Sequence, residues 1–219
     1  ISPVGRLHAV PWSALPSLRG RPVSVIPSAA AWLRDRPKGS SPPALVAGPG
    51  LDHARGEVKA VQGLWPGASV LAGKKATVTS VLDALNGASI AHLVAHGRFR
   101  TDNPMFTSLM LADGPLSLYD LEELEAPPET VVLSACEVGS SVVRLGDELL
   151  GMAAAFLEMG SKAVIAPLFP VSDAATRAVM EVVHDHLASG STPATALAEA
   201  RRTESPEERL SASSFLCFG

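Results

Sequence analysis

The sequence predicts an α/β fold in which a mainly parallel sheet is flanked by helices on both faces. Several short segments are built on continuous apolar runs, among them 44–48 (ALVAG) and 129–136 (ETVVLSAC). A strand that is apolar throughout is expected where a sheet is buried on both faces. Segments with helical patterning separate these strands, which is typical of parallel sheets joined by helical crossovers.

The elements follow in order along the chain. Residues 1–40 are Pro-rich and irregular, with a short strand near residues 21–28 and a brief helix that Ser28 would cap. We then expect strands at 44–48, 68–73, 88–97, 107–113, 129–136, 162–169 and 213–219. Helices are expected at 53–64, 77–85, 117–124, 146–160 and 172–187, with another from about residue 193.

Composition and charge limit the classes of function. The chain has 219 residues, of which 47% are hydrophobic, enough for a core of ordinary size. Its net charge of −4 and the lack of a Lys/Arg-rich run argue against a nucleic-acid partner. Its longest apolar stretch, around residues 149–157, is far shorter than the ~20 residues that span a bilayer, so no membrane span is expected.

The two cysteines, Cys136 and Cys217, do not make a disulfide framework and indicate thiols in a reducing compartment. We therefore expect a cytoplasmic protein. Cys217 lies in an apolar terminal segment and is expected in the core. Because the chain begins with Ile1 rather than Met, we also expect it to be a fragment of something longer.

Two predicted strands end in residues that suit nucleophilic catalysis. His96 and Gly97 close one strand, and Cys136 closes another. In such sheets the ligand crevice lies beyond the carboxyl ends of the strands, and neighbouring strands are about 5 Å apart. If these two strands are neighbours, His96 can act as the base for a Cys136 nucleophile, with the N–H groups of Gly97 and Cys136 as an oxyanion hole. The alternative is that Cys136 is only a buried core thiol.

The other histidines do not indicate a metal site, and no cofactor is predicted. His92 lies four residues before His96, a spacing of about 13 Å on a strand, so the pair cannot share one zinc ion. We expect His92 to be a packed or supporting residue. His184 and His186 fall on a predicted helix and are expected to be solvated.

Four sequence blocks, at 91–121, 131–139, 146–173 and 211–219, occur in an order that resembles the CHAT domain. This is a caspase-like family of mostly bacterial proteins that often follows TPR repeats, and residues 6–17 resemble its usual amino-terminal portion. The resemblance covers nearly the whole chain and implies the caspase-haemoglobinase fold of the clan CD cysteine peptidases. It makes residues 1–40 the amino-terminal portion of the domain and residues 41–219 the peptidase core.

The resemblance also implies a His/Cys dyad. His96 matches the family's His-Gly histidine, and Cys136 matches its Ser-Ala-Cys cysteine. We therefore expect a cysteine endopeptidase that cleaves a specific protein partner and is controlled by an upstream or associated sensor, such as a TPR domain. The alternative is a catalytically silent caspase-like module that binds other proteins.

Ser134 lies two residues before the matched cysteine. At that position caspases carry a glutamine that helps to bind aspartate at P1, the substrate residue before the scissile bond, and paracaspases carry an aspartate that binds arginine. A serine supplies no charge, so we expect an apolar or small P1 residue. Glu137, Asp147 and Glu148 are further candidates for the S1 pocket, although Asp147 and Glu148 would also suit the amino-terminal end of a helix dipole.

Overall fold

The computed structural model describes the backbone and side chains of residues 1–4, 7, 10–36, 38–51, 53–98, 107–134, 151–169 and 174–219, and the backbone alone at 145–150 and 173. Its strands are β1 (Ser24–Val25), β2 (Ala44–Ala47), β3 (Ser69–Ala72), β4 (Ile90–Val94), β5 (Gly97–Arg98), β6 (Ser108–Met110), β7 (Pro115–Ser117), β8 (Thr130–Leu133), β9 (Ala163–Pro167) and β10 (Phe215–Phe218). Its helices are α1 (Ala29–Leu33), α2 (Ala54–Gln62), α3 (Val78–Leu85), α4 (Leu118–Leu121), α5 (Leu145–Met159), α6 (Asp173–Ala188), α7 (Pro193–Ala200) and α8 (Pro206–Ser214).

The described strands form a seven-stranded sheet in the spatial order β1-β10-β9-β8-β4-β2-β3 and a three-stranded sheet in the order β5-β6-β7. In the large sheet, β3, β2, β4, β8 and β9 are parallel to one another, whereas β10 runs antiparallel to β9. β1 pairs with β10, so the segment before residue 41 contributes the outermost strand on that side. The predicted α/β class with a mainly parallel sheet is confirmed.

Helices cover both faces of the large sheet, because successive strand residues point to opposite sides. On one face, Leu93 and Leu133 pack with α3 and α5. On the other face, Val94 packs with α2, and Val132 packs with α6, α7 and α8. Each of these four strand residues is at most 1% exposed, so the strands are buried on both faces, as their continuous apolar sequences predict.

Local signals set the ends of several helices. The Oγ of Ser28 accepts a hydrogen bond from the N–H of Ala31 at 3.1 Å, which confirms the predicted cap of α1. Helix α5 ends before Gly160, whose φ of 119° continues no helix. None of the helices in the described ranges combines the length and the apolar character needed to cross a membrane.

Some elements differ from the sequence expectation. β4 ends at Val94, so His96 lies just beyond the strand, and the chain then enters the small sheet at β5. Helix α8 is not foreseen because its buried residues are small and partly polar, so the sequence shows no apolar stripe. The available signal was at its start, where Ser205 caps the helix and Pro206 occupies the first turn.

The expectation that His184 is solvated is wrong, because its side chain lies in the layer between α6 and the sheet. His184 is 0% exposed, whereas His186 on the same helix is half-buried. The helical spacing explains the burial, since His184 falls on the stripe that Met180 and Leu187 bury against the sheet. The expectation of a solvated side chain was based on the polar residue type, whereas the position of His184 in the helical repeat indicates the buried side of α6.

His184 belongs to a buried hydrogen-bonded chain. The Nε1–H of Trp65 donates to Nδ1 of His184 at 2.9 Å, and Nε2 of His184 lies 2.6 Å from Nδ1 of His92. Nε2 of His92 in turn lies 2.9 Å from Oε1 of Glu57. His92 and Glu57 are 0% exposed, so the packed position expected for His92 is confirmed.

The burial of His184 should make the free energy of unfolding depend on pH. Removal from water lowers the pKa of His184 well below its ordinary value of 6.5, and the neighbouring His92 lowers it further. Below about pH 6.5 the unfolded chain takes up a proton that the folded protein does not, so acid favours unfolding. We expect the free energy of unfolding to fall between about pH 7.5 and 5.5, with up to ~1.4 kcal/mol per pH unit from this group.

Urea unfolding at these two pH values measures the effect. The substitution His184→Gln should reduce the pH dependence, because an amide does not titrate but can still donate to His92 and accept from Trp65. His186→Gln is the control on the same helix and should leave the pH dependence unchanged. The same pH dependence in all three proteins would show that His184 does not contribute.

Candidate active site

The two strands predicted to carry the dyad are neighbours. β4 and β8 pair in parallel, with Leu93 aligned with Leu133. The N–H of Ser134, directly after β8, donates to the carbonyl oxygen of Leu93 at 2.9 Å. The carboxyl ends of both strands therefore lie at one edge of the sheet, and His96 follows β4 at that edge.

The imidazole of His96 contacts a backbone carbonyl. Its Nε2 lies 3.2 Å from the carbonyl oxygen of Gly50, in the loop between β2 and α2. Because a carbonyl oxygen only accepts hydrogen bonds, Nε2 must carry the proton and donate it. In the neutral ring the lone pair then lies on Nδ1, which becomes the nitrogen that can take up a proton.

Two glycines allow the loop to approach the segment that carries His96. Gly50 has a φ of 75°, in the left-handed region, and a Cβ added there would lie 3.4 Å from Nε2 of His96. A Cβ added at Gly48 would lie 2.8 Å from Cβ of Ala95, closer than real atoms approach. From the sequence, the Gly-Pro-Gly run after this strand is interpreted as a turn that could form one wall of the cleft. The specific role of the Gly50 carbonyl could not be predicted, because a backbone acceptor has no residue-type signature.

The N–H of Gly97 points away from β6. Gly97 aligns with Leu109, and the N–H of Met110 donates to the carbonyl oxygen of His96 at 2.8 Å. This pattern is that of a non-hydrogen-bonded antiparallel pair, in which the amides of the paired residues are directed outward. An N–H in this orientation can donate to an oxyanion bound beside β5.

The other predicted site residues differ in how much of them is described. Cys136 and Glu137 lie outside the described residues. Ser134 is 2% exposed and lies directly beyond β8. Asp147 and Glu148 lie in the first turn of α5, where the backbone alone is described.

A cavity of about 730 Å³ lies at the opposite edge of the sheet from His96. Its lining includes Thr130 and Ala163, the first residues of β8 and β9, together with Trp32 and Arg36. It therefore lies at the amino ends of these strands and is separate from the candidate dyad. Within the described ranges, no three His, Cys, Asp or Glu side chains are grouped as ligands for a metal ion.

Solved structures share this fold at low sequence identity. The Saccharomyces cerevisiae separase–securin complex matches with a TM-score of 0.67 and 13% identity, over 97% of this chain and 15% of that chain. The complex of the Porphyromonas gingivalis RgpB pro- and mature domains matches with a TM-score of 0.54 and 15% identity, over 87% of this chain and 48% of that chain. The Arg-specific cysteine proteinase gingipain R matches with a TM-score of 0.55 and 16% identity, over 87% of this chain and 47% of that chain.

These likenesses show the fold, which is that of the caspase-like clan CD cysteine peptidases, and the chain spans less than half of each matched protein. In a comparison with sequence models of protein families, the CHAT domain family matches residues 1–215. The chain therefore belongs to the CHAT domain family, as its four sequence blocks indicate. Among curated protein sequences, no significant match was found.

The substitution Gly50→Ala should disturb the ring of His96. An alanine in the left-handed conformation costs about 1–2 kcal/mol, and its Cβ would lie against the imidazole. We expect the variant to weaken or lose the hydrogen bond from Nε2 of His96. Nitrogen-15 NMR of the histidine rings would detect this as a change in the His96 tautomer signals.

Gly67→Ala is the matched control for Gly50→Ala. Gly67 has a φ of 81°, and nothing lies within 4 Å of a Cβ added there. Both variants should therefore lose similar stability in urea unfolding, but only Gly50→Ala should change the His96 signals. If these signals were the same in both variants, the carbonyl of Gly50 would not be what orients the ring.

Proposed function

We propose that this chain is a cysteine endopeptidase that cleaves a specific protein partner with His96 and Cys136 as its dyad. The observation that carries the proposal is the contact between Nε2 of His96 and the Gly50 carbonyl, at the edge where β4 and β8 end. It assigns the ring proton to Nε2 and makes Nδ1 the basic nitrogen. A histidine held in one tautomer by another group is what a cysteine nucleophile requires of its base.

Chain connectivity supports the pairing of these two residues. Cys136 follows Ser134 by two residues, and two residues of extended chain span at most about 7 Å. Ser134 is itself hydrogen-bonded to Leu93, which precedes His96 by three residues. The segment that leads to Cys136 and the segment that carries His96 thus begin on adjacent strands at the same edge of the sheet, which supports the proposed pairing.

In the first half of the proposed reaction, Nδ1 of His96 accepts the thiol proton of Cys136, and Sγ attacks the carbonyl carbon of the scissile bond. The N–H groups of Gly97 and Cys136 donate to the oxyanion that forms. The C–N bond then breaks, and the imidazolium gives its proton to the leaving amine. The acyl group remains on Cys136 as a thioester.

In the second half, a water molecule gives a proton to Nδ1 of His96 while its oxygen attacks the thioester carbon. The tetrahedral intermediate collapses and expels Sγ of Cys136, which takes its proton back from the imidazolium. The products are a carboxylic acid and an amine, and the steps balance with water as the sole co-reactant. Because CHAT domains often follow TPR repeats, we include control by an upstream or associated sensor in the proposal.

We further propose that Ser134 forms the floor of the S1 pocket. It is buried directly beyond β8 and lies two residues before Cys136. A serine hydroxyl offers hydrogen bonds but no charge to a P1 side chain. Glu137, Asp147 and Glu148 are the acidic residues of the same region that would give the pocket a preference for a basic residue.

Cleavage of a diverse peptide mixture, read by mass spectrometry, tests the activity. The wild-type protein should cut, Cys136→Ala should not, and His96→Ala should cut more slowly by about 10²–10⁴-fold, the usual contribution of a general base. Cys217→Ala is the control and should retain activity, because Cys217 is 1% exposed and lies within β10. Equal cutting by wild type and Cys136→Ala would contradict the dyad.

Labelling with a peptidyl electrophile distinguishes a latent peptidase from a silent binding module if no cuts are seen. Burial raises the pKa of Cys217 to about 11, so this thiol is protonated at neutral pH and should react slowly. In a peptidase, Cys136 should react about 100-fold faster, and His96→Ala should remove most of the difference. Equal rates at the two cysteines would favour the binding module.

The P1 residues of the observed cuts test the role of Ser134. We expect small or apolar residues before the cut, and Ser134→Asp should increase the share of Arg and Lys because it adds a negative charge to the pocket. Ser134→Ala is the control and should keep the wild-type profile. A wild-type profile dominated by Arg would contradict this assignment and implicate Glu137, Asp147 or Glu148.

A further inference from the structure

A hydrogen-bonded chain of Trp65, His184, His92 and Glu57, the last three of which are buried, lies outside the proposed dyad but joins the elements around it. Glu57 is in α2, His92 in β4 and His184 in α6, and Trp65 follows α2. We propose that this chain positions the catalytic His96 by holding α2, and with it the carbonyl of Gly50, at a fixed place on β4. The inference rests on the proposed function of His96, and Glu57, His92 and His184 are positioning residues.

The hydrogen bonds of this chain run in one direction. The indole Nε1–H of Trp65 can only donate, so Nδ1 of His184 must accept. The proton of the neutral His184 ring is then on Nε2 and is donated to Nδ1 of His92. The proton of the neutral His92 ring is consequently on Nε2 and is donated to Glu57. A further proton on either ring would place two hydrogens between two nitrogens. The indole donor at one end and the acceptor oxygen of Glu57 at the other therefore require the same two tautomers.

The geometry of the two rings favours this arrangement. Their planes are within 10° of each other and their centroids are 4.7 Å apart, while the facing nitrogens are only 2.6 Å apart. The rings therefore lie edge to edge in nearly one plane, with the N–H of one directed at the lone pair of the other. All ring nitrogens of His92 and His184 face a protein partner, which leaves none directed toward a bound metal ion.

Stability alone does not account for these polar side chains. His92 is flanked in the sheet by Leu45 and Val132, both 0% exposed. Oε2 of Glu57 is buried and has no hydrogen-bond partner among the described residues. Buried polar groups with incomplete partners are less stabilising than apolar side chains of similar size. Hydrogen bonds instead fix the relative positions of the elements that they join, because each bond requires its donor and acceptor at a narrow range of distance and angle.

The hydrogen bond between Glu57 and His92 lies close along the chain to the two groups that meet in the candidate site. Gly50 lies seven residues before Glu57, and His96 lies four residues after His92. A short segment joins Gly50 to α2. On the other side of Gly50, the N–H of Gly48 donates to the carbonyl oxygen of Val94 at 2.7 Å. With both ends fixed to β4, the Gly50 carbonyl has one position relative to His96. Loss of the bond between Glu57 and His92 would allow α2 to shift and move that carbonyl.

Nitrogen-15 NMR of the histidine rings, together with peptide-cleavage kinetics, tests the proposal. The protein has six histidines, and His96→Gln assigns the signals of His96. Glu57→Met removes the acceptor while keeping the volume, so His96 should lose its single Nε2–H tautomer. The kcat for a peptide found in the cleavage mixture should fall by about tenfold or more, with KM nearly unchanged. Glu57→Gln keeps an acceptor oxygen for His92 and should restore both readouts.

Val183→Ala is the matched control, because Val183 is buried in the same layer beside His184 and forms none of these hydrogen bonds. It should lower stability and leave the His96 signals and kcat unchanged. If Glu57→Met behaves like Val183→Ala, the role of the chain is purely structural and the proposal is wrong. The same conclusion follows if Glu57→Gln fails to restore the His96 tautomer while the protein remains folded.

Trp65→Phe serves if Glu57→Met does not fold. It removes the indole donor and keeps an aromatic ring, so Nδ1 of His184 loses its partner and the segment after α2 loses its hydrogen bond to α6, while Glu57 still accepts from His92. The His184 signals should change, and the His96 signals should change with them because α2 is held less firmly. Unchanged His96 signals, despite altered His184 signals, would overturn the proposal. The NMR readout needs no substrate, so it decides the positioning role even if Cys136-dependent cleavage is absent and the proposed peptidase function fails.

Discussion

The parallel ladder through β2, β4 and β8 is the constraint on which the candidate site depends. Ala47 aligns with Val94, and the N–H of Ser134 donates to the carbonyl oxygen of Leu93. These pairings end the three strands at one level, so the loops that leave them begin at the same edge of the sheet. The Gly50 carbonyl, His96 and the segment that leads to Cys136 come from these three loops. Without this alignment the three groups would share no site, whatever their individual chemistry.

The different surroundings of the two faces of β4 fix its alignment with the neighbouring strands β2 and β8. Leu93 points into the apolar layer of α3 and α5, while His92 points toward α2 and α6, where Glu57 and His184 bond to it. A slip by one residue would exchange these faces. It would place the imidazole among apolar side chains without partners, which costs several kcal/mol for an unpaired polar group. The buried polar chain therefore also specifies the register that brings His96 to its position.

The sequence was sufficient for those features that depend on residue type and periodicity. Continuous apolar runs predicted the parallel strands, and the two strands predicted to lead to His96 and Cys136 are adjacent in the sheet, although they end earlier than predicted, at Val94 and Leu133. The sequence was insufficient for features that depend on backbone geometry rather than on residue type. The direction of β10 does not follow from apolar periodicity, which is the same for parallel and antiparallel strands. The acceptor for His96 is a backbone carbonyl of Gly50, and every residue has such a group.

His184 shows a different limit of sequence reasoning. A histidine beside an aspartate suggests a solvated helix face, and only the helical repeat places it on the buried side. Its partner His92 is 92 positions away in the sequence, so no local pattern connects them. Contacts of this kind are set by the packing of α6 on the sheet. They become visible only in three dimensions, although the polar character of both residues on buried stripes indicates that each needs a partner.

These observations make the histidine side of the proposed dyad pre-organised. Nε2 of His96 has its acceptor in the absence of substrate, and that acceptor lies on a loop fixed to β4 at both ends. A catalytic base held in this way needs little rearrangement when a substrate binds, so little of the binding energy is lost in orienting it. Control by an associated sensor would then have to act on access of the substrate or on the segment that carries Cys136. A regulator that moved His96 would first have to break a ladder and a buried network that are part of the core.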